Sequence, residues 1–203
     1  MVPSRNLMIR AAAIGVAVLG VLVPDIRSAE SYQVDPVHSD ITFKVRHLVS
    51  YVTGHFREFS GLIDIDRENL ENSSVSLTIM TSSVDTGNAK RDEHLRSDEF
   101  FDAEKFPEIT FKSKSLEHKS GDTYGVSGTF SMHGVEETLS IPVEALGFTD
   151  HARFGKRAGF TASFTLDRDT YGIDWNLPMD SGTLVLGNEI SIEINIEAFL
   201  PQE

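Results

Sequence analysis

Seven histidines, His38, His47, His55, His94, His118, His133 and His151, are the residues of this chain best suited to acid–base or metal chemistry. They are scattered. No pair has the HxH or HExxH spacing that presents two ligands together, and without cysteine a zinc site would need distant residues to converge. Carboxylates occur in pairs two apart, Asp64/Asp66 and Asp167/Asp169, beside what read as strand ends. Solvated turns account for them better than a general acid–base pair does. There is no GxSxG elbow, and a cysteine nucleophile is impossible. The glycines of Gly125-Val126-Ser127-Gly128 sit inside an alternating run, which is not the place of a phosphate loop. The enzymatic reading that survives is a histidine acid–base group at His38, His94 or His133, acting on a small apolar substrate.

The elements that must position any site are strands. Ile41, Phe43 and Val45 alternate with Thr42, Lys44 and Arg46, and the same period of two runs through 59–65, 75–79, 124–132, 139–143, 160–166 and 190–196. Turn signals separate these runs: Asn72-Ser73-Ser74, Ser120-Gly121-Asp122, His133-Gly134 and Gly187-Asn188. The pattern predicts an all-β fold of about eight antiparallel strands, a barrel in preference to a sandwich, since closure removes exposed edges.

Residues 88–107, NAKRDEHLRSDEFFDAEKFP, break the pattern, with ten of twenty residues charged. Asn88 and Ser97 are both good N-caps, so a short helical segment near 88–103, made of two helical turns, is expected. Leu95, Phe100, Phe101 and Phe106 would be its apolar contacts. Such a segment beside a barrel reads as a lid or end plug with a solvated charged face.

Period two does not say whether the apolar face points inward or toward lipid. The runs look too short for the roughly 9–11 residues of a membrane strand, and the phenylalanines sit mid-run rather than in girdles. An apolar interior is expected. Eight strands enclose either a core that side chains fill or a space for one small ligand, and residue counts leave both open. The filled core would make the chain an interaction protein.

Arg5 and Arg10 precede the apolar run Ala11–Val23, and Ser28-Ala29 follows. This is the order of a secretory signal over residues 1–29, with 30–203 as one β domain. That segment holds three arginines and one aspartate, so the net charge moves from -13 to -15 on the remaining 174 residues. So acidic a body repels phosphate backbones, and no nucleic-acid partner is expected. The absence of cysteine fits the periplasm without proving it.

Six stretches carry a family resemblance: YQVDPVHSDITFKVRHL at 32–48, GHFREFSGLIDID at 54–66, SSVDTGNAKRDEHLRSDEFFDAEKFPEITFKS at 82–113, VSGTFSMHGVEETLSIPVE at 126–144, DRDTYGIDWN at 167–176 and LGNEISIEINIEA at 186–198. The chain resembles the YceI-like family of polyisoprenoid-binding and lipid-binding periplasmic proteins. It departs from the family at Glu136-Glu137-Thr138, where a basic residue and a proline are usual, and in the locally basic loop DHARFGKRAG. The resemblance implies a lipocalin-like barrel that binds a long isoprenoid chain inside, in the periplasm, as a homodimer and without a chemical reaction. No cofactor is expected; an isoprenoid lipid, isoprenoid quinone or similar amphiphile is the ligand, exchanged transiently with a membrane protein.

Residues expected in the cavity are Phe43, Val45, Leu77 and Ile79 from the first half. Phe111, Tyr124, Val126 and Phe130 follow, and then Phe160, Phe164, Ile192 and Ile194. Phe100 and Phe101 would line or close one end. Arg91 and His94 would present donors to the polar end of the ligand. Alternatively, Arg91 pairs with a nearby acid and His94 is an ordinary hydrogen-bonded residue.

Overall fold

The structure is a computed structural model that describes residues 29–179 and 184–202. The signal expected over residues 1–29 lies outside the described residues, apart from Ala29. Eleven strands follow one another in the described chain. They are β1 (Glu30–Val34), β2 (Asp40–His47), β3 (Ser50–Phe56), β4 (Phe59–Ile65), β5 (Ser74–Met80) and β6 (Val84–Asp85), then α1 (Ala89–Arg96). After it come β7 (Glu108–Ser120), β8 (Thr123–Met132), β9 (Val135–His151), β10 (Gly155–Asp167) and β11 (Leu186–Phe199).

Eight of these strands close a barrel. The order is β1-β4-β5-β7-β8-β9-β10-β11, and β11 returns to β1 through Gln33↔Phe199 and Val34↔Ala198. All its pairings are antiparallel. The expected eight-stranded antiparallel barrel with one short helix is therefore present. Tight turns set its register: at His133 (φ 53) and Gly134 (φ 78) both central residues of the β8–β9 hairpin are left-handed, the twist-matched type I′ geometry.

The wall splits once. Near its end β11 pairs with β1, but over Ile190–Asn195 it pairs with β2. Residues 35–39 step from one partner to the other around Glu197, whose N–H donates to Ser39 Oγ at 3.0 Å and whose carbonyl accepts from Asp35 N–H at 2.8 Å. β2, β3 and the two-residue β6 form a flap beyond the split, and α1 follows β6 directly, at that end of the barrel.

Four guanidinium, carboxylate and imidazole groups hold the split. Asp35 Oδ2 lies 2.8 Å from Arg157 Nη1 and 2.9 Å from His38 Nδ1, and Arg157 Nη1 also reaches Glu197 Oε1 at 3.2 Å. Asp35, His38 and Glu197 could offer three ligand atoms to a metal. The guanidinium between the two carboxylates already supplies the positive charge there. Burial pushes the Asp35 carboxyl up, but hydrogen bonds from His38, the Val37 N–H and Arg157 outweigh it and hold it at about 2, against an ordinary 3.8. A depressed carboxylate stabilises the fold above its ordinary value and loses that contribution as pH falls toward 2. Asp35→Asn is therefore expected to cost about 2 kcal/mol in denaturant unfolding at pH 6 and only a small fraction of that at pH 2. A cost independent of pH would contradict this. His38 is shifted the other way, raised by the same carboxylate, so its contribution fades as pH rises.

Three expectations fail here. β7 to β11 have 10 to 17 residues each, so strand length does not argue against a membrane barrel. Burial does: Val126, Phe130, Met132 and Ile141 are buried inside the ring. Gly187-Asn188 is no turn. It is an irregularity within β11, between the pairs Leu186↔His47 and Ile190↔Val45. Ser97 starts no second helix: it caps the C-terminus of α1, and residues 98–106 continue as turns.

Candidate functional site

The barrel is hollow. A cavity of about 410 Å³, lined almost entirely by aliphatic and aromatic side chains, occupies its interior, so the filled-core expectation does not hold. Inward residues such as Ile190, Ile192, Ile194 and Phe164 are only half-buried although they sit inside the ring. They pack against the core cluster and leave their remaining surface to the cavity. Along β11 every inward residue from Ile190 to Ile196, roughly 20 Å of strand, lines the cavity, and Leu186 at the strand's start adds to it.

Two glycines keep the bore open. A Cβ on Gly54 would come within 2.3 Å of Phe43 Cζ, across the register pair of β2 and β3. One on Gly128 would come within 2.4 Å of the Lys112 carbonyl oxygen and 2.7 Å of the Phe111 ring. Both rings therefore lie against the wall over a missing side chain instead of projecting across the lumen.

One end is closed by the second hydrophobic cluster, centred on Tyr32, Ile65, Ala158 and Ala198, all about 1% exposed or less. The other end is covered by α1 and the turns after it. Asn88 caps the helix, its Oδ1 accepting from Arg91 N–H at 3.1 Å. Asp92, buried, accepts from Thr86 N–H at 2.9 Å and Thr86 Oγ1 at 2.5 Å. Arg96 Nη1 donates to the Ser82 and Val84 carbonyls at 3.3 and 3.2 Å. The charges of this segment are fasteners. What they fasten is Phe100, buried against Trp175 at 5.1 Å between centroids, and Phe101, edge-on to Phe56 at 5.7 Å.

All sixteen residues expected in the site line this one cavity: the twelve strand residues, the Phe100–Phe101 pair, and Arg91 and His94. Neither polar candidate is idle. Arg91 pairs with no acid among the described residues; its Nε donates to Thr86 Oγ1 at 2.6 Å and Nη2 to the Thr86 carbonyl at 2.9 Å. His94 Nε2 lies 2.6 Å from Glu99 Oε2, while its ring packs edge-on to Phe100 and Trp175. The three histidines weighed as acid–base groups do not converge. Of them His94 alone lines the cavity, whereas His38 stands at the split and His133 faces the Tyr171 carbonyl at 2.8 Å.

Arg168 was not singled out by the sequence reading. It is 4% exposed and lines the cavity near Trp175. Its guanidinium donates to the carbonyls of Gly187 (3.1 Å), Ile173 (2.7 Å) and Trp175 (2.9 Å) and to Asn188 Oδ1 (3.1 Å). Burial lowers its pKa while Asp169, Asp167 and Asp174 act to raise it. The stretch DRDTYGIDWN held the signal, an arginine among acids, but without the β11 irregularity its acceptors are invisible.

Residues 32–198 match the YceI-like domain family. A UPF0312 protein of Shewanella sp. strain ANA-3 is 39% identical over 168 residues, 81% of this chain and 88% of that one. Among solved structures, the Campylobacter jejuni YceI protein superposes with a TM-score of 0.66 at 29% identity, covering 79% of this chain and 91% of its own. A polyisoprenoid binding domain from Saccharophagus degradans, implicated in plant cell wall breakdown, gives a TM-score of 0.63 at 18% identity, covering 85% and 99%. That likeness is one of fold.

Proposed function

Because this chain belongs to the YceI-like domain family, we propose that it is a non-catalytic binding protein that carries or sequesters an isoprenoid lipid, an isoprenoid quinone or a similar amphiphile inside its barrel. The hollow apolar interior carries this reading. The S. degradans relative of the same fold, described as polyisoprenoid binding, adds support. Each CH₂ moved from water into such a lumen contributes roughly 0.8 kcal/mol, so a chain of several isoprene units binds without many polar contacts. Discrimination along the chain is then loose, and the polar end of the ligand sits at the α1 end, near Arg91 and His94. The working compartment in this reading is the periplasm, reached through the N-terminal signal, with a homodimer as the assembly and a membrane protein as the exchange partner.

Titration with an octaprenyl lipid in detergent micelles tests the reading. One equivalent bound, with no product formed, is expected; turnover, or no saturable uptake, would overturn it. In the same assay Arg91→Ala with His94→Ala should weaken binding of an octaprenyl diphosphate roughly tenfold or more, since hydrogen bonds to charged groups contribute about 1.5–3 kcal/mol. An octaprenyl hydrocarbon should bind the variant and the parent alike. Equal affinities for the diphosphate would remove both residues from the polar anchor.

A further inference from the structure

We infer that the tip of the β2–β3 hairpin, together with Leu177 and Leu184, docks the barrel onto the headgroup layer of a lipid bilayer with the cavity's end facing the membrane. The inference gives the carrier reading above its route of loading, and rests on that reading for its purpose.

Two loops meet at this tip. Leu48 N–H donates to the Val185 carbonyl at 2.8 Å, Val185 N–H donates to the Leu177 carbonyl at 3.0 Å, and Pro178 bridges to Leu184. Four apolar side chains from the two loops stand in water: Leu48 is 38% exposed, Val49 99%, Leu177 53% and Leu184 51%. A single exposed leucine is unremarkable, whereas a convergent group at one end marks an interaction site. The hairpin also keeps an apolar residue against the preference of its backbone. His47 pairs with Ser50 across a two-residue loop, and Leu48 takes φ 51 where glycine would fit without strain.

Charge identifies the occupant. The chain carries -13 overall, yet residues 44–53 hold Lys44 and Arg46 and no carboxylate, and the second loop, 177–184, adds only Asp180 in sequence, so the two loops together are net positive. Both lie on the outer face of the hairpin. Lys44 Nζ sits 4.4 Å above the Tyr51 ring, and Arg46 Nε donates to the Leu48 carbonyl at 3.2 Å. Arg46 stands two residues and Lys44 four residues behind the tip, roughly 7 and 13 Å along the strand. An interfacial element buries its apolar edge about 5–10 Å deep. At that depth the two cations reach phosphates while Tyr51, 61% exposed, occupies the boundary that amphipathic aromatics favour. A second copy of the tip would set these cations against each other. The net-acidic molecule must approach an anionic surface through a locally basic end; the loop at 150–159 is also basic but stands at the end closed by Ala158 and Ala198. Continuity with the lumen completes the case: His47, Val52 and Leu186, beside the tip, line the cavity.

The chain has no cysteine, so Val49→Cys accepts a single environment-sensitive fluorophore. On vesicles of phosphatidylethanolamine and phosphatidylglycerol containing no isoprenoid, its emission should rise and be quenched by brominated acyl chains. A fluorophore at Leu146→Cys, on another exposed apolar position, in β9 (61%), should show neither response. Val49→Asp should weaken vesicle flotation roughly tenfold or more, the loss expected for one buried aliphatic side chain, and leave octaprenyl uptake from micelles unchanged. A silent probe at residue 49, equal responses at 49 and 146, or a shift caused by dimerisation without vesicles would each overturn the docking. Micelle uptake that persists while docking fails refutes the docking alone; docking without uptake refutes the carrier reading alone.

Discussion

Val126→Asp should abolish lipid uptake. Val126 is 3% exposed on β8, between Leu116 of β7 and Ile141 of β9, and faces the lumen. A carboxylate there meets no donor. Ionised, it costs several kcal/mol; protonated, it still takes a hydroxyl into apolar surroundings at about 1–3 kcal/mol. Either form also holds water where the chain of the ligand would lie, so affinity should fall roughly a hundredfold or more. Val126→Ala provides the control for folding, because it keeps the lumen apolar and should retain most of the affinity. Undiminished uptake by a folded Val126→Asp protein, judged by near-ultraviolet circular dichroism, would mean that the ligand binds elsewhere.

Arg168→Met should have the largest effect on stability, about 3–5 kcal/mol in denaturant unfolding. The change leaves one buried and two half-buried carbonyls and the Asn188 side chain without their donor, and each orphaned buried group costs about 1–3 kcal/mol, less what water or repacking recovers. A purely local loss would stop there. Trp175 makes the effect visible at the site, since Arg168 holds its carbonyl and its ring packs against His94 and Phe100. It is the single tryptophan, so its emission should shift to the red in the folded variant. An unshifted spectrum with wild-type stability would show that the loop over residues 168–176 holds its place without the guanidinium.

The wall and its lining were legible because period two assigns a face to each side chain as soon as the strand is recognised. Phe43, Leu77, Phe164 and Ile192 needed no tertiary information to be placed on the apolar face, although the period alone did not say that this face points inward. What the alternation could not carry is the change of partner along β11. Ile190–Asn195 and Ala198–Phe199 look alike in sequence, but they pair with β2 and β1, and the step depends on Asp35, Ser39 and Glu197 meeting across more than 150 residues. Ser97 shows a related limit. Its hydroxyl suits either end of a helix, and here it accepts the closing role, donating to the His94 carbonyl at 2.8 Å. Whether eight strands enclose a filled or an empty lumen was equally out of reach. That depends on rings lying flat over Gly54 and Gly128, a relation between strands that no single run displays.

The most direct test of the carrier reading is mass spectrometry of an organic extract from protein purified gently, without detergent, from the cells that make it. An isoprenoid lipid or quinone near one equivalent per chain is the predicted result, and its head group would name what Arg91 and His94 face. An extract with no such lipid, from protein that also fails to take up added octaprenyl lipid, would contradict it.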